Sequence, residues 1–339
     1  MQQVIKPTNV IIDTDMGWDD IVAICLLLKN PNFKLLGITV TGCGETHLEN
    51  GMQIARTLVE LGHSDAVVCA GASTPSCHDN QFAPSFRAQM DSVFGLLDGL
   101  KKPVRPADPR TAWEFIQDSL TSAASPITIL SLGGFTNIAK LFDISSEPNI
   151  QNIERIFIMG GAVACAGNVA DLNNAAPKFN QGPVYASNVV AEWNIFLDAL
   201  AAKRVFDSSI PLTLVPLDAC NCVMLTKEYA TYVKATDPLA GLVQQVLALK
   251  ANPHGPYYEP NPVPVFDPLA AMVMAGMMPS GLRSDVVLDV EVAQTEVNNT
   301  CGWTKTVHNS SNRPIHVVNT EIAEEFEDAF KHWINAPLL

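Results

Sequence analysis

Charge is scarce in this sequence, and positive charge scarcest. Only 17% of its 339 residues are charged, and 21 Lys and Arg face 35 Asp and Glu, a formal balance of −14. A phosphate backbone is bound by clustered cations, so nucleic acid is excluded as a partner. No apolar run approaches the ~20 residues that span a bilayer, and residues 1–9 show no charged-then-apolar signal pattern. No membrane partner is expected, and the chain reads as a cytoplasmic protein. Cysteine occurs eight times but never as C-x-x-C; Cys220 and Cys222, the nearest pair, have one residue between them. That usage fits reduced thiols, with Cys25 and Cys69 as small core residues. Internal repeats, charge blocks and linkers are missing too, which points to one domain over residues 1–339. Apolar residues are abundant, at 47%, enough for a core and too many for a disordered chain.

The most informative stretch is residues 10–20, Val-Ile-Ile-Asp-Thr-Asp-Met-Gly-Trp-Asp-Asp. Three apolar residues make a short buried strand, and the apolar run 21–28 that follows makes a buried helix. Met16-Gly17 bends the chain, and Asp19 or Asp20 caps the helix or occupies its first turn. A cap explains one or two of the four acids, Asp13, Asp15, Asp19 and Asp20. Carboxylates crowded at the end of a buried strand repel one another, and a hard cation with oxygen ligands is the natural counter-charge.

The rest of the chain alternates. Strands are predicted at 35–41, 66–71, 127–132, 153–159 and 212–217. Helices are predicted at 48–61, 86–97, 111–122, from 138 onward, 196–203, within 229–251 and at 267–277. The tail reads as strands at 286–292, 304–307 and 315–318, then a last helix at 322–334. Such alternation predicts an α/β fold, a Rossmann-like open, mainly parallel sheet flanked by helices, with ligands at the carboxyl edge of its strands. Residues 72–85, 165–188 and 252–262 are read as loops, the last as a lid.

Five motifs taken together resemble the inosine-uridine-preferring nucleoside hydrolase family. The first is Asp13-x-Asp15-x-Gly17-x-Asp19-Asp20 after an apolar strand, in which the glycine placement varies. The others are Leu132-Gly133-Gly134-Phe135-Thr136-Asn137, Met159-Gly160-Gly161, Glu192-Trp193-Asn194 and Phe266-Asp267-Pro268-Leu269. The resemblance implies the nucleoside hydrolase fold and hydrolysis of ribonucleosides to free base and ribose. It implies Ca²⁺ held by Asp15, Asp20, Asp267 and the backbone carbonyl of Thr136, with Asp15 as general base. Asp19 and Asn194 would hold the ribose 2′- and 3′-hydroxyls, with Glu192, Asn168 and Met159 completing the sugar site. Asn173 or Asn174 competes with Asn168 for the 5′ hydroxyl. A homodimer or homotetramer is expected.

The base side departs from the common pattern. Many relatives carry His where this chain has Phe266, and a purine-specific branch sandwiches the base between aromatic rings. Phe86 and Phe266 fall where that pair is expected, so purine nucleosides (inosine, adenosine, guanosine) are the expected substrates. Glu45 stands where most relatives have Asn. Further candidates are His254, Tyr257 and Tyr258 in the lid and His47 and His78 near the mouth. Trp18 is read as site wall, Asp13 as ordering its loop through backbone N–H bonds, and Asp218 is unassigned. Three rivals remain: a nonspecific or pyrimidine-accepting hydrolase, a non-catalytic nucleoside- or sugar-binding protein, and a haloacid-dehalogenase-type phosphohydrolase using Asp13 and Mg²⁺. The last leaves Asp19-Asp20 and Glu192-Trp193-Asn194 unexplained.

Overall fold

Ten strands form one sheet through the molecule. The structure, a computed structural model, describes residues 7–145, 147–250, 252, 263–278, 283–308, 312–318 and 323–338. In chain order the strands are β1 (Thr8–Thr14), β2 (Phe33–Val40), β3 (Val67–Ala70), β4 (Asp108–Thr111), β5 (Ile127–Ser131), β6 (Ile153–Met159) and β7 (Leu212–Val215). After them come β8 (Met224–Leu225), β9 (Val263–Pro264), β10 (Arg283–Val290), β11 (Thr304–Thr306) and β12 (Pro314–Val318). The sheet order is β11-β10-β12-β7-β6-β5-β1-β2-β3-β4, and β8 pairs separately with β9. From β12 to β4 every pairing is parallel; β10 runs antiparallel to both its neighbours. The expected mainly parallel sheet is therefore observed.

The chain builds outward from β1 through β2, β3 and β4, then returns to β5 on the other side of β1 and proceeds through β6 and β7. The reversal between β1 and β5 is a topological switch point, and the strand ends there open a crevice. Helices cover both faces, which is why β5 is buried along its whole length and reads as an unbroken apolar run.

Helix Trp18–Leu28 follows β1 and is buried on nearly every side. Its partner, helix Pro238–Lys250, is tied to it at both ends. Lys29, at the C-cap, pairs with Asp237, while Lys250 places its ammonium 5.1 Å above the Trp18 ring. Burial works against the Asp237 carboxylate, but the Lys29 ammonium holds it below its ordinary range. Among the described residues, no helix is long and apolar enough to cross a membrane, and all eight cysteines are free thiols.

Several sequence expectations need correction. The helix read at 86–97 ends at Met90, because Val93, Phe94 and Gly95 take left-handed conformations before a 3₁₀ turn at Leu96–Gly99. Residues 165–188 contain helix Val169–Ala175, a 3₁₀ turn and helix Pro183–Ala186. These pieces are too short to show a period and owe their form to packing. Strand β4 and the β8–β9 pair were also invisible for want of length. Residues 254, 257 and 258 lie outside the described residues.

Candidate active site

The turn after β1 carries the acids. Met16 adopts φ 62°, so the left-handed residue is Met16, and Gly17 is extended. Gly17 has a different reason to be glycine: a Cβ there would stand 2.2 Å from Glu45 Oε2. Asp20 accepts a hydrogen bond from the Gly17 N–H at 2.8 Å and another from the Thr14 hydroxyl, closing the helix start. Asp19 and Asp20 thus both lie in the first turn, where carboxylates are favoured.

Asp267 reaches the same point from the N-terminus of helix Asp267–Met274. Carboxylate oxygens of Asp19, Asp20 and Asp267 lie within 4.8 Å of one another. The Asp15 carboxyl meets that of Asp20 at hydrogen-bonding range, and Asp15 Oδ2 accepts from the Glu45 N–H at 3.2 Å. Burial, then repulsion from Asp20, pushes Asp19 up to about 7. The same two causes raise Asp15 and Asp267 well above the carboxylate range. Burial raises Asp20 as well. Lys250, itself buried, offsets part of this charge at Asp19 and Glu45.

Opposite the acids, Glu192 caps helix Trp193–Leu197. Its Oε2 accepts from Gly161 N at 3.0 Å and Ile195 N at 3.2 Å, and its Oε1 from Asn194 N at 2.8 Å. Burial nonetheless lifts its pKa to about 7, against those bonds. Asn194 Nδ2 donates to the Leu132 and Met159 carbonyls at 3.1 and 3.2 Å. Asn168 Oδ1 accepts from the Trp193 N–H at 3.1 Å. An aromatic column closes this wall: Trp193 stacks on Phe82 at 4.1 Å between centroids, and Phe82 on Phe86 at 5.0 Å.

Asp15, Asp19, Asp20, Asp267 and Glu45 face a cavity of about 300 Å³ that Phe86, Phe266, Met159, Asn168, Glu192 and Asn194 also line. That volume is at the small end of ligand sites, ~300–1,000 Å³. Trp18 stands in its wall. Neither Asn173 nor Asn174 reaches it; Asn173 is spent on Asn174 and on the Gln181 N–H.

Two expected site residues are elsewhere. Thr136 opens helix Thr136–Ile144, where carbonyls point along the axis toward later N–H groups, and its hydroxyl donates to Asp198 at 2.7 Å. From this glycine-rich turn it is Leu132 that lines the cavity. Asp13 is buried one residue short of the strand end, its Oδ1 accepting from the Thr39 hydroxyl at 2.6 Å and Asn137 Nδ2 at 2.8 Å. It fastens β1 to β2 and to helix Thr136–Ile144 through side chains rather than backbone N–H groups. His47 is exposed and paired with Asp91, and His78 contacts the Val292 carbonyl. Asp218 accepts from the N–H groups of Val163 and Ala164 and fixes the turn after β6.

Phe82, Asp171 and Asn221 line the cavity without having been anticipated. Each lies in a segment with no period, and only packing brings it in. The result is an α/β protein with a cavity at a sheet switch point, lined by both acids and aromatic rings.

The comparisons narrow this class. The model of the inosine-uridine preferring nucleoside hydrolase family matches residues 10–330, and the chain belongs to that family. The pyrimidine-specific ribonucleoside hydrolase RihA of Shewanella baltica is 32% identical over 244 residues, 70% of this chain and 68% of that one. Among solved structures, the plant nucleoside hydrolase PpNRh1 superposes with a TM-score of 0.79 at 21% identity, covering 98% of this chain and 100% of the other. The purine-preferring ribonucleoside hydrolase from Gardnerella vaginalis gives 0.76 at 23%, covering 96% and 98%.

Proposed function

We propose that the protein hydrolyses the N-glycosidic bond of ribonucleosides, purine nucleosides foremost, to free base and ribose. The observation that carries this reading is that buried acids and aromatic rings together line one small cavity.

The donor set suits Ca²⁺. Hard carboxylate oxygens converge in a buried place where they repel one another, and calcium accepts six to eight such ligands. Asp15, Asp20 and Asp267 would hold it, with the Leu132 carbonyl replacing Thr136 in that role. When bound, the ion supplies positive charge that acidifies a water molecule and orients hydroxyl groups. Asp15 then takes the proton of the attacking water, since one of its oxygens is anchored by Glu45 N–H and the other is directed to the acids. Asp19 and the amide oxygen of Asn194 hold the ribose 2′- and 3′-hydroxyls. Asn168, Met159 and Glu192 border the 5′ side; Glu192 Oε1 accepts from the Asn194 N–H and keeps acceptor capacity for a sugar hydroxyl. The excess of negative charge favours an oxocarbenium-like sugar as the bond breaks.

Phe86 and Phe266 supply the base contacts; stacking is worth ~1–3 kcal/mol per base. Phe266→Ala is expected to slow inosine cleavage roughly tenfold or more. It should barely affect a nitrophenyl riboside, whose leaving group needs no proton. Equal losses on the two substrates rule out the stacking role. In solution a cytoplasmic homodimer or homotetramer completes the reading, and light scattering of the purified chain measures the assembly.

A second reading, preference for pyrimidine nucleosides, is favoured by the name of the RihA relative. Incubation with inosine, adenosine, guanosine, cytidine, uridine and a phosphate monoester in calcium buffer decides. Free base and reducing sugar from inosine ahead of cytidine support the purine reading, and the reverse order supports the second. Cleavage of no nucleoside overturns both.

A further inference from the structure

One acid of the cavity has no place in the scheme above. Glu45 follows β2 in the loop that crosses above the acid turn, and its Oε2 is shut off from solvent with no hydrogen-bond partner among the described residues. A buried acceptor left unpaired costs ~1–3 kcal/mol, so such an oxygen marks a position that a ligand satisfies.

Its surroundings say which ligand. The point where a Cβ would stand on Gly17 lies 2.2 Å from Glu45 Oε2 and 3.1 Å from Asp20 Oδ2. The two oxygens therefore cannot be further apart than those distances together. Ligands on opposite sides of one Ca²⁺ are separated by about 5 Å, twice the 2.3–2.6 Å bond. The loop that carries Glu45 is also fixed. Its N–H donates to Asp15 Oδ2 at 3.2 Å, Thr46 donates to the Asp15 carbonyl through its hydroxyl at 2.7 Å, and Arg87 clamps the Gly42 and Thr46 carbonyls at 2.8 and 2.6 Å. The residue beside it, Gly44, lies so close to Asp15 that a Cβ would fall 1.9 Å from Oδ2. A carboxylate carried on so fixed a loop, with Asp19, Asp15 and Asp20 near enough to repel it, belongs to the charge cluster.

We propose that Glu45 belongs to the ligand shell of the divalent cation, its Oε2 bound to the ion or to one of the ion's waters. The inference rests on the calcium reading above. Glu45 adds a fourth carboxylate to Asp15, Asp20 and Asp267, and the cation supplies the partner its buried oxygen lacks. Neutralising Glu45 then weakens the site for the ion itself, whatever nucleoside is being cleaved.

The test is calcium titration of the full-length, chelator-stripped protein, followed by calorimetry and by the fluorescence of Trp18 in the cavity wall. Glu45→Gln is expected to raise the Kd for Ca²⁺ at least fivefold. Glu49→Gln, which removes an exposed charge four residues along, should leave it within twofold. The Gln variant's far-ultraviolet circular dichroism and melting temperature without calcium report whether it is folded, and Glu45→Asp, which keeps the charge, serves if it is not. Wild-type binding together with an unchanged Kd in Glu45→Gln overturns the inference alone. Equal weakening by Glu49→Gln also overturns it, by reducing the effect to diffuse charge. Absence of calcium binding in the wild type instead overturns the calcium reading.

Discussion

Asp15→Asn is expected to lower kcat on inosine by ~10⁴-fold, the upper range for loss of a positioned base, with metal affinity also reduced. The fold should survive, because asparagine has the same shape and keeps an acceptor for the Glu45 N–H that Asp15 Oδ2 binds. The metal-free variant should be at least as stable as wild type. Burial and the neighbouring Asp20 make the Asp15 carboxylate costly to ionise, and a neutral amide removes that cost. Steady-state kinetics with a thermal melt on the same sample checks both statements. Activity within tenfold of wild type removes Asp15 as base.

In the metal-free protein the ordinary pH dependence of stability should be inverted. Without metal, burial and then the neighbouring Asp20 raise Asp19 to about 7. Asp15 and Asp267 are raised for the same reasons, and burial raises Asp13 and Glu192 to about 7. An acid whose folded pKa exceeds its unfolded one binds its proton more tightly when folded. Its contribution is complete below the unfolded value near 4 and is lost as pH rises toward 7. The acids held low by cations, among them Asp237 and Asp289, lose their contribution only below that window. The chelated protein is therefore expected to melt roughly 5–10 °C higher at pH 5 than at pH 8. Added Ca²⁺ binds the ionised form, so its stabilisation should be larger at pH 8. A chelated protein that melts higher at pH 8 contradicts the acid cluster as described.

The site was legible where chemistry was concentrated in a few neighbouring residues. Asp15, Asp19 and Asp20 could be read because four carboxylates in eight positions have no local explanation. Asp267 could be read because it sits in a motif of its own, although some 250 residues away. Glu192 and Asn194 were placed in the cavity, yet the N–H groups that occupy Glu192 belong to residues as distant as Gly161, which no local pattern connects to it. Thr136 was misassigned for a related reason. Its motif is recognisable, but whether a carbonyl faces a cavity or a helix axis depends on where the helix begins, and a glycine-rich turn does not announce that.

The aromatic wall was the least legible part. Phe86 was expected to pair with Phe266 around a base; the structure also stacks it on Phe82, in a column that runs on to Trp193. Stacking of that kind joins residues about 110 positions apart and leaves no mark in periodicity.

By itself the sequence determined the alternation of strands and helices, and hence a mainly parallel sheet, since buried parallel strands and their covering helices have distinct hydrophobic patterns. It also determined that buried acids gather at the end of the first strand. Only the tertiary structure decided which oxygens meet. The approach of Asp15, Asp20, Asp267 and Glu45 to one another depends on the switch between β1 and β5 and on glycines that let one loop lie against another. Those are relations of distance, and a linear pattern does not encode them.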